Sequence, residues 1–392
     1  MRGRRDPQPS LFYAIDVEAR IRPDHPLRPI KAAVDRLLAT MSDLFEAAYS
    51  DIGRPGVPPE RLFKALLLMA LYSVRSERQL VERIDTDLLF RWFLDLSPEE
   101  PAFDATAFTH NRPRLDAHGL TAAFFDAVLR QALTAGLCSE HFSVDGTLIE
   151  SYASLKSVRP IPADPVPEGP PVPPPAGGPA SDGNGFKSRN PDVDFHGQKR
   201  TNATHRSTTD PEARLYRKSG GQETKLRHLG HTLSENRHGL IVGVAVTEAN
   251  GTAERDAAVD LIDGFRDVAG WDPKTVGMDK GYDAGALLLE LEGRGIEPHA
   301  AMVKPPRPPE SAPPAERDRV AARHRLLGRL GGEGYRLSQK CRKKVEEGFG
   351  WLKEIARLGR SRVVGRWKIQ QLWDIGAAAY NLVRMRRLIP AT

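Results

Sequence analysis

The 392-residue chain is 40% apolar, close to the globular average, which is enough for two or three domains with buried cores and argues against a wholly disordered chain. Its 57 basic and 51 acidic residues leave a net charge of +6, which suits a polyanionic partner without identifying one. Two cysteines, the lack of any apolar run near eighteen residues, and a basic start with no apolar stretch behind it argue against a disulfide scaffold, a membrane-spanning helix and a secreted precursor.

Residues 1–135 read as a helical N-terminal domain. Pro58, Pro59 and Glu60 open a segment whose apolar residues (Leu62, Phe63, Leu66, Leu67, Leu71) mostly recur at helical spacing. Ser76-Glu77-Arg78-Gln79 has the pattern of a capping box and predicts a second helix through Leu80, Ile84 and Leu88. Asp104 starts a third helix, and Leu120 to Ala135 forms a fourth. Short helices joined by tight turns fit a helix-turn-helix reader of DNA and a plain packing bundle equally well.

From residue 136 the pattern changes to an α/β one. His141 to Ile149 reads as a strand broken at Gly146. Ten prolines between Pro160 and Pro179 predict a disordered Pro/Gly-rich insertion near 157–195. Strands resume at Lys225–Ser234 and Leu240–Thr247, with a hairpin turn at Glu235–Gly239. A helix from Thr252 to Phe265, a strand at Thr275–Met278, a helix at Ala284–Leu291 and a strand near 298–303 follow. A second Pro-rich loop is expected at 304–316, and Ser338 to Leu388 reads as mostly helix. Hairpins followed by βαβ units predict a mixed sheet covered by helices.

Three acids stand out. Asp145 and Asp279 each follow a strand-like run, and glycine comes soon after each, which would leave the adjacent backbone open to a bulky ligand. Glu346 lies four residues after Arg342 and seven before Lys353. At 100° per residue all three share one helix face, with Phe349 and Gly350 alongside. The small Gly350 is expected to relieve crowding on that face, and the stretch Lys340 to Lys368 is strongly basic. Glu254, Asp256, Asp283 and Glu347 are read as bystander acids. His228 and His231 are read as ordinary strand residues.

These blocks, Val144-Asp145-Gly146-Thr147, Met278-Asp279-Lys280-Gly281-Tyr282 and Arg342-x3-Glu346-x6-Lys353, together resemble the catalytic blocks of DDE-type bacterial insertion-sequence transposases, most closely the insertion-sequence five (IS-five) group. Residues 59–115, Gly251 to Asp256 and Ala379 to Arg384 are similar to that group as well. One departure is Gln339, which stands where the third block often has Tyr; the nearest tyrosine is Tyr335.

The resemblance implies an RNase H-like catalytic domain over 136–392, behind an all-α domain that binds DNA ends. It implies that Asp145, Asp279 and Glu346 are the catalytic and metal-holding residues for two Mg²⁺ ions, with Mn²⁺ able to substitute. Asp145 would bridge the ions, while Asp279 and Glu346 would each complete one shell. Arg342, Lys353, Lys280, Tyr282, Lys343 and Lys344 are the implied DNA-binding residues. The implied partners are double-stranded DNA (the terminal inverted repeats and the target) and a second copy of the chain on DNA, with a cytoplasmic, nucleoid-associated location. A silent DNA-binding derivative and an RNase H-like nuclease without strand transfer are the competing readings.

Overall fold

A computed structural model describes residues 16–50, 52, 56–161, 200–217, 223–302 and 304–389. Eight helices come first: α1 (Val17–Arg20), α2 (Leu27–Ala39), α3 (Ser42–Ala48), α4 (Pro59–Leu71), α5 (Glu77–Thr86), α6 (Leu88–Phe93), α7 (Thr106–Ala117) and α8 (Leu120–Thr134). Their boundaries follow local chemistry. Pro59 sits in the first turn of α4, where its missing N–H costs nothing. Ser76 Oγ accepts from Gln79 N at 3.1 Å, and the Gln79 side chain reaches back to Arg75 N at 3.1 Å, one residue short of a reciprocal capping box. Asp104 Oδ1 accepts from Thr106 N at 2.7 Å and starts α7.

α4 is buried along Leu62 to Ala70, including Lys64, whose ammonium pairs with Asp35 at 2.5 Å and with Asp95. A helix covered on nearly every side is the centre of a bundle and is not free to enter a groove. For α4, the packing alternative therefore holds.

The strands are β1 (His141–Glu150), β2 (Val158–Pro160), β3 (His205–Ser207), β4 (Arg214–Tyr216), β5 (Lys225–Glu235), β6 (Ile241–Glu248), β7 (Thr275–Met278) and β8 (Glu297–Ala300). The main sheet runs β6-β5-β1-β7-β8, with β4 pairing on the edge of β5 beyond β6. β6, β5 and β1 are antiparallel neighbours, whereas β1, β7 and β8 are parallel. This is the mixed sheet of an RNase H-like fold. β1 is not broken at Gly146. It pairs with β5 without interruption from Phe142 to Glu150, so Asp145 lies inside the strand.

Most of the proline-rich segment, 162–199, lies outside the described residues. Its start is ordered: Val158–Pro160 pairs with His205–Ser207 in a two-stranded ribbon, where a proline on an edge is tolerated. The 304–316 stretch holds two short turns, Pro309–Ser311 and Pro314–Glu316.

Helices α9 (Ala253–Ala269), α10 (Gly285–Gly293) and α11 (Arg317–Arg329) cover one face of the sheet, around Phe142, Val144, Val276, Met278, Ile262 and Leu288. α12 (Glu333–Cys341) and α13 (Lys344–Gly350) follow, and α14 (Arg366–Leu388) covers the other face. α14 is buried along most of its length and is stitched to β6: Asn381 bonds both backbone groups of Ile241, at 2.9 and 2.7 Å. Gln371 donates to Arg112 O at 2.9 Å, so the same helix also ties down the bundle. Bundle and sheet thus share one continuous core through α14.

Candidate active site

The parallel pairing of β1 with β7 sets the site. His141 faces Thr275, Phe142 faces Val276 and Ser143 faces Gly277. The same offset, carried two residues on, brings Asp279 level with Asp145. With a side-chain period of two, both acids then belong to the same set of the pleat. Val144 and Met278, one residue earlier on each strand, point into the α9–α11 core. The core therefore fixes which residues face away from it.

Asp279 ends β7 and caps the turn Lys280–Tyr282, accepting from Gly281 N at 2.6 Å. Gln339, the residue at the departure from the transposase pattern, donates to Met278 O at 3.2 Å and to His299 O. It clips together the ends of β7 and β8 just before Asp279. Tyr335 donates to Ala300 O at 3.4 Å, further along the same edge.

Arg342 comes from the junction of α12 and α13 and sets a guanidinium nitrogen 3.2 Å from Asp145 Oδ2. Glu346 follows on α13 and is exposed, while Val345, Gly348 and Phe349 are buried. The continuous helix expected from Arg342 to Lys353 is not present. Arg342 and Lys343 lie between two helices, and Lys353 lies in a π-turn, Trp351–Ile355, closed by Ala356 N to Trp351 O at 3.0 Å. A constant 100° step therefore does not place these three side chains. Such π segments are frequent at functional sites. Gly350 does not relieve crowding either, because a Cβ there would meet nothing within 4 Å.

The bystander acids divide. Asp283 pairs with Arg323 at 2.7 Å, and Glu347 with Arg384 at 3.4 Å. Asp256 is exposed. Glu254, at the start of α9, is different: its Oε1 stands 2.8 Å from where a Cβ of residue 146 would be. The space beside Gly146, expected to be open to a ligand, is filled by this carboxylate. Sequence reasoning set Glu254 aside because nothing local marks it, and only the packing of α9 against the sheet brings it here.

Tyr282, expected at a DNA surface, is fully buried, and its ring belongs to the α9–α11 core. Its hydroxyl is buried without a hydrogen-bond partner. Burial, with the negative charges of Glu254, Asp145 and Asp279, holds the phenol well above its ordinary pKa, and Arg342 opposes them. Lys344, another expected DNA contact, donates to Asn236 O at 2.9 Å and Arg237 O at 2.7 Å, so its ammonium fastens the β5–β6 turn. Lys280 and Lys343 are exposed, and Lys353 is half-buried.

His228 and Ser151 both bond one oxygen of buried Asp210, at 2.9 and 2.7 Å. Serine and histidine share the acid instead of facing each other, so the trio is a strut and not a nucleophile. Burial pushes His231 down to about 4, and its ring bonds Thr247 at 2.7 Å. Both histidines are packed strand residues, as expected.

Asp145, Asp279 and Glu254 supply only carboxylate oxygens, the donors that a hard divalent cation prefers. Among the described residues, no three His, Cys, Asp or Glu stand close enough to hold one ion. Mg²⁺ does not need such a cage, since it is usually held by one or two carboxylates together with substrate phosphates and water. As donors, one or two of these carboxylates with phosphate and water suit such a cation.

An RNase H-like sheet with an acid on its central strand β1 and another just past the end of the adjacent β7 is the frame of a class of enzymes that break and join phosphodiesters. Residues 193–382 match the family described as Transposase DDE domain, and residues 15–114 match Transposase domain (DUF772). The chain is a DDE transposase, with the helical transposase domain ahead of the catalytic one, and its activity is DNA transposition. Asp279, Glu346 and Lys353 fall inside the catalytic match, and Asp145 lies between the two matched stretches. No curated protein and no solved structure matches the chain.

Proposed function

We propose that this transposase cuts duplex DNA at the terminal inverted repeats of an insertion sequence of the IS-five group and joins the freed 3′-OH ends to target DNA. The observation that supports the reading is the β1–β7 register: Ser143 lies opposite Gly277, and the same offset carried two residues on would set Asp145 level with Asp279. Asp145, Asp279 and Glu346 would hold the divalent cations, Mg²⁺ with Mn²⁺ as substitute. Such ions, when bound, help to activate the attacking oxygen and to stabilise the leaving one.

The chain's own groups orient the DNA. Arg342 beside Asp145 offers a planar fork suited to a phosphate. Lys280 and Lys343, both exposed, and Lys353 beyond α13 would hold the flanking backbone. Two element ends must meet for joining, so the working form is a homodimer on DNA, acting in the nucleoid.

The test is cleavage and joining of an end-containing duplex in Mg²⁺ by Asp145→Asn, Asp279→Asn and Glu346→Gln. Each should lose several decades in rate. A Glu346→Gln protein that cut and joined like wild type would remove Glu346 from the trio.

A further inference from the structure

We propose that duplex DNA is also gripped at the joint between the helical bundle and the catalytic domain, where Arg75, Arg78 and Arg357 hold its phosphate backbone. The inference rests on the reading of Asp145 and Asp279 as the place where DNA is cut, and it names a second surface for that DNA.

Two turns build the joint. Ser73, in the turn between α4 and α5, donates its hydroxyl to Ile355 O at 2.7 Å. Arg362 donates to Val74 O and to Ala356 O, each at 2.6 Å. The bundle is fastened in this way to the segment that leaves the π-turn of Lys353. A Cβ on Gly359 would lie 3.4 Å from Lys353 Cβ, so the joint begins beside that residue.

Charge at the joint is unbalanced. A cavity of about 440 Å³ opens there, with four arginines in its wall (Arg75, Arg78, Arg112 and Arg362) and one acid, Glu77. Glu77 is already paired with buried Arg112. Burial lowers the pKa of Arg362 to about 10; Glu77 supports its charge, while Arg112 and Arg357 oppose it. Arg75, Arg78 and Arg357 are exposed, and none of the three forms an ion pair among the described residues. Guanidinium groups gathered with too few acids attract an anion, and their planar forks match a phosphate.

Arg357 adds a second sign. Its φ of +60° lies in the left-handed region, where glycine is the easier choice at a helix end. An arginine there keeps a cation at a strained position, and such strain gathers at ligand clamps.

The joint is also within reach of the acids. Beyond Arg357 the chain runs beside the end of β1, where Glu150 N donates to Gly359 O at 3.0 Å and Ser361 N to Glu150 O at 2.7 Å. Asp145 lies five residues back along that strand, about 17 Å. A duplex held at Asp145 and laid along β1 arrives at the joint after roughly five base-pair steps.

The experiment uses the full-length chain and a fluorescent duplex carrying the element's terminal repeat, bound over a range of salt. Arg75→Gln, Arg78→Gln and Arg357→Gly should each lower the salt slope, by about 0.9 per lost phosphate contact. Melting temperatures should stay at the wild-type value, because no ion pair is broken and glycine suits the backbone at 357. Arg75→Lys and Arg78→Lys keep the charge and should keep the slope. Arg130→Gln, exposed near the end of α8 that leads into the start of β1, should leave the slope unchanged. An equal fall in Arg130→Gln would reduce the effect to net charge and overturn the proposal. Wild-type slopes in all three joint variants, beside a lowered slope in Lys343→Ala, would overturn it too and leave the reading of the catalytic site intact. A wild-type chain that did not bind the duplex would refute that reading and the proposal together.

Discussion

Arg342 reaches across from the α12–α13 junction to stand 3.2 Å from Asp145 Oδ2, linking the start of α13 to the middle of β1. The pair is partly exposed, 21% and 15% for the two side chains, so its contribution to stability is under about 1 kcal/mol. Its value is in aiming charge at the place where a phosphate reacts. Arg342→Ala should therefore cut end cleavage on the order of a hundredfold and leave the melting temperature nearly unchanged. Arg342→Lys should recover only part of the rate, because an ammonium lacks the two-pronged geometry. A melting temperature that fell in step with activity would make Arg342 a structural residue.

Neighbouring lysines should behave oppositely. Lys343 is exposed, while Lys344 donates to two carbonyls of the β5–β6 turn. Lys343→Ala should lower DNA affinity and reduce the salt slope by about 0.9 per lost phosphate contact, with the fold unaffected. Lys344→Ala should leave the slope alone and cost about 1 kcal/mol in urea unfolding, the usual worth of such bonds. Equal salt slopes for the two variants would contradict the division drawn between them.

Gln339 offers a third test. Its amide donates to Met278 O and His299 O and so fixes the strand ends that carry Asp279. Gln339→Ala should lose about 1 kcal/mol of stability and a larger share of activity, because Asp279 loses its backbone support. Activity that fell no further than the stability loss explains would confine Gln339 to the fold.

These residues show what the sequence made legible. β7 was readable to the residue, since Thr-Val-Gly-Met opens with two β-branched residues and is bounded by turn formers, and Asp279 came with it. Ser76 and Pro59 announced their helices through cap chemistry, which is local. What failed were statements that depend on packing between distant segments. Gly146 looked like a strand breaker and is a continuous pleat made to fit Glu254. The face shared by Arg342, Glu346 and Lys353 assumed one uninterrupted α-helix, and a junction and a π-turn intervene. The resemblance implied that Tyr282 and Lys344 contact DNA, yet one is core and the other a backbone clamp.

Asp374 on α14 gives the chain a pH-dependent stability. It is fully buried, and burial pushes its carboxyl up to about 7, against the opposing hydrogen bonds from Gln370 and Thr121. An acid that holds its proton more tightly when folded stabilises the fold at low pH. This contribution is complete below the ordinary value of 3.8, is lost as pH rises, and levels off above about 7. The loss cannot exceed about 1.4 kcal/mol per pH unit. Asp374→Asn keeps the shape without the charge, and the Thr121 hydroxyl can turn to accept from the new amide. It should flatten the stability profile between pH 4 and 7 and exceed wild type in urea midpoint at pH 8. A variant less stable than wild type at pH 8 would show that the carboxylate is well accommodated as an anion.

The contact of Trp373 with Gly230 is the joint between α14 and the sheet. The indole is fully buried against β5, where any Cβ on residue 230 would collide with the ring. Neither partner can move far, because α14 is held to β6 through Asn381 and to the bundle through Gln371. Gly230→Ala should therefore cost about 1–3 kcal/mol, as overpacking does in a close-packed core. Trp373→Leu alone should also destabilise, by leaving a cavity. In the double variant the new methyl occupies part of that cavity, so the two losses should add to less than their sum. Strict additivity in urea unfolding would mean that the ring and the glycine do not meet in solution.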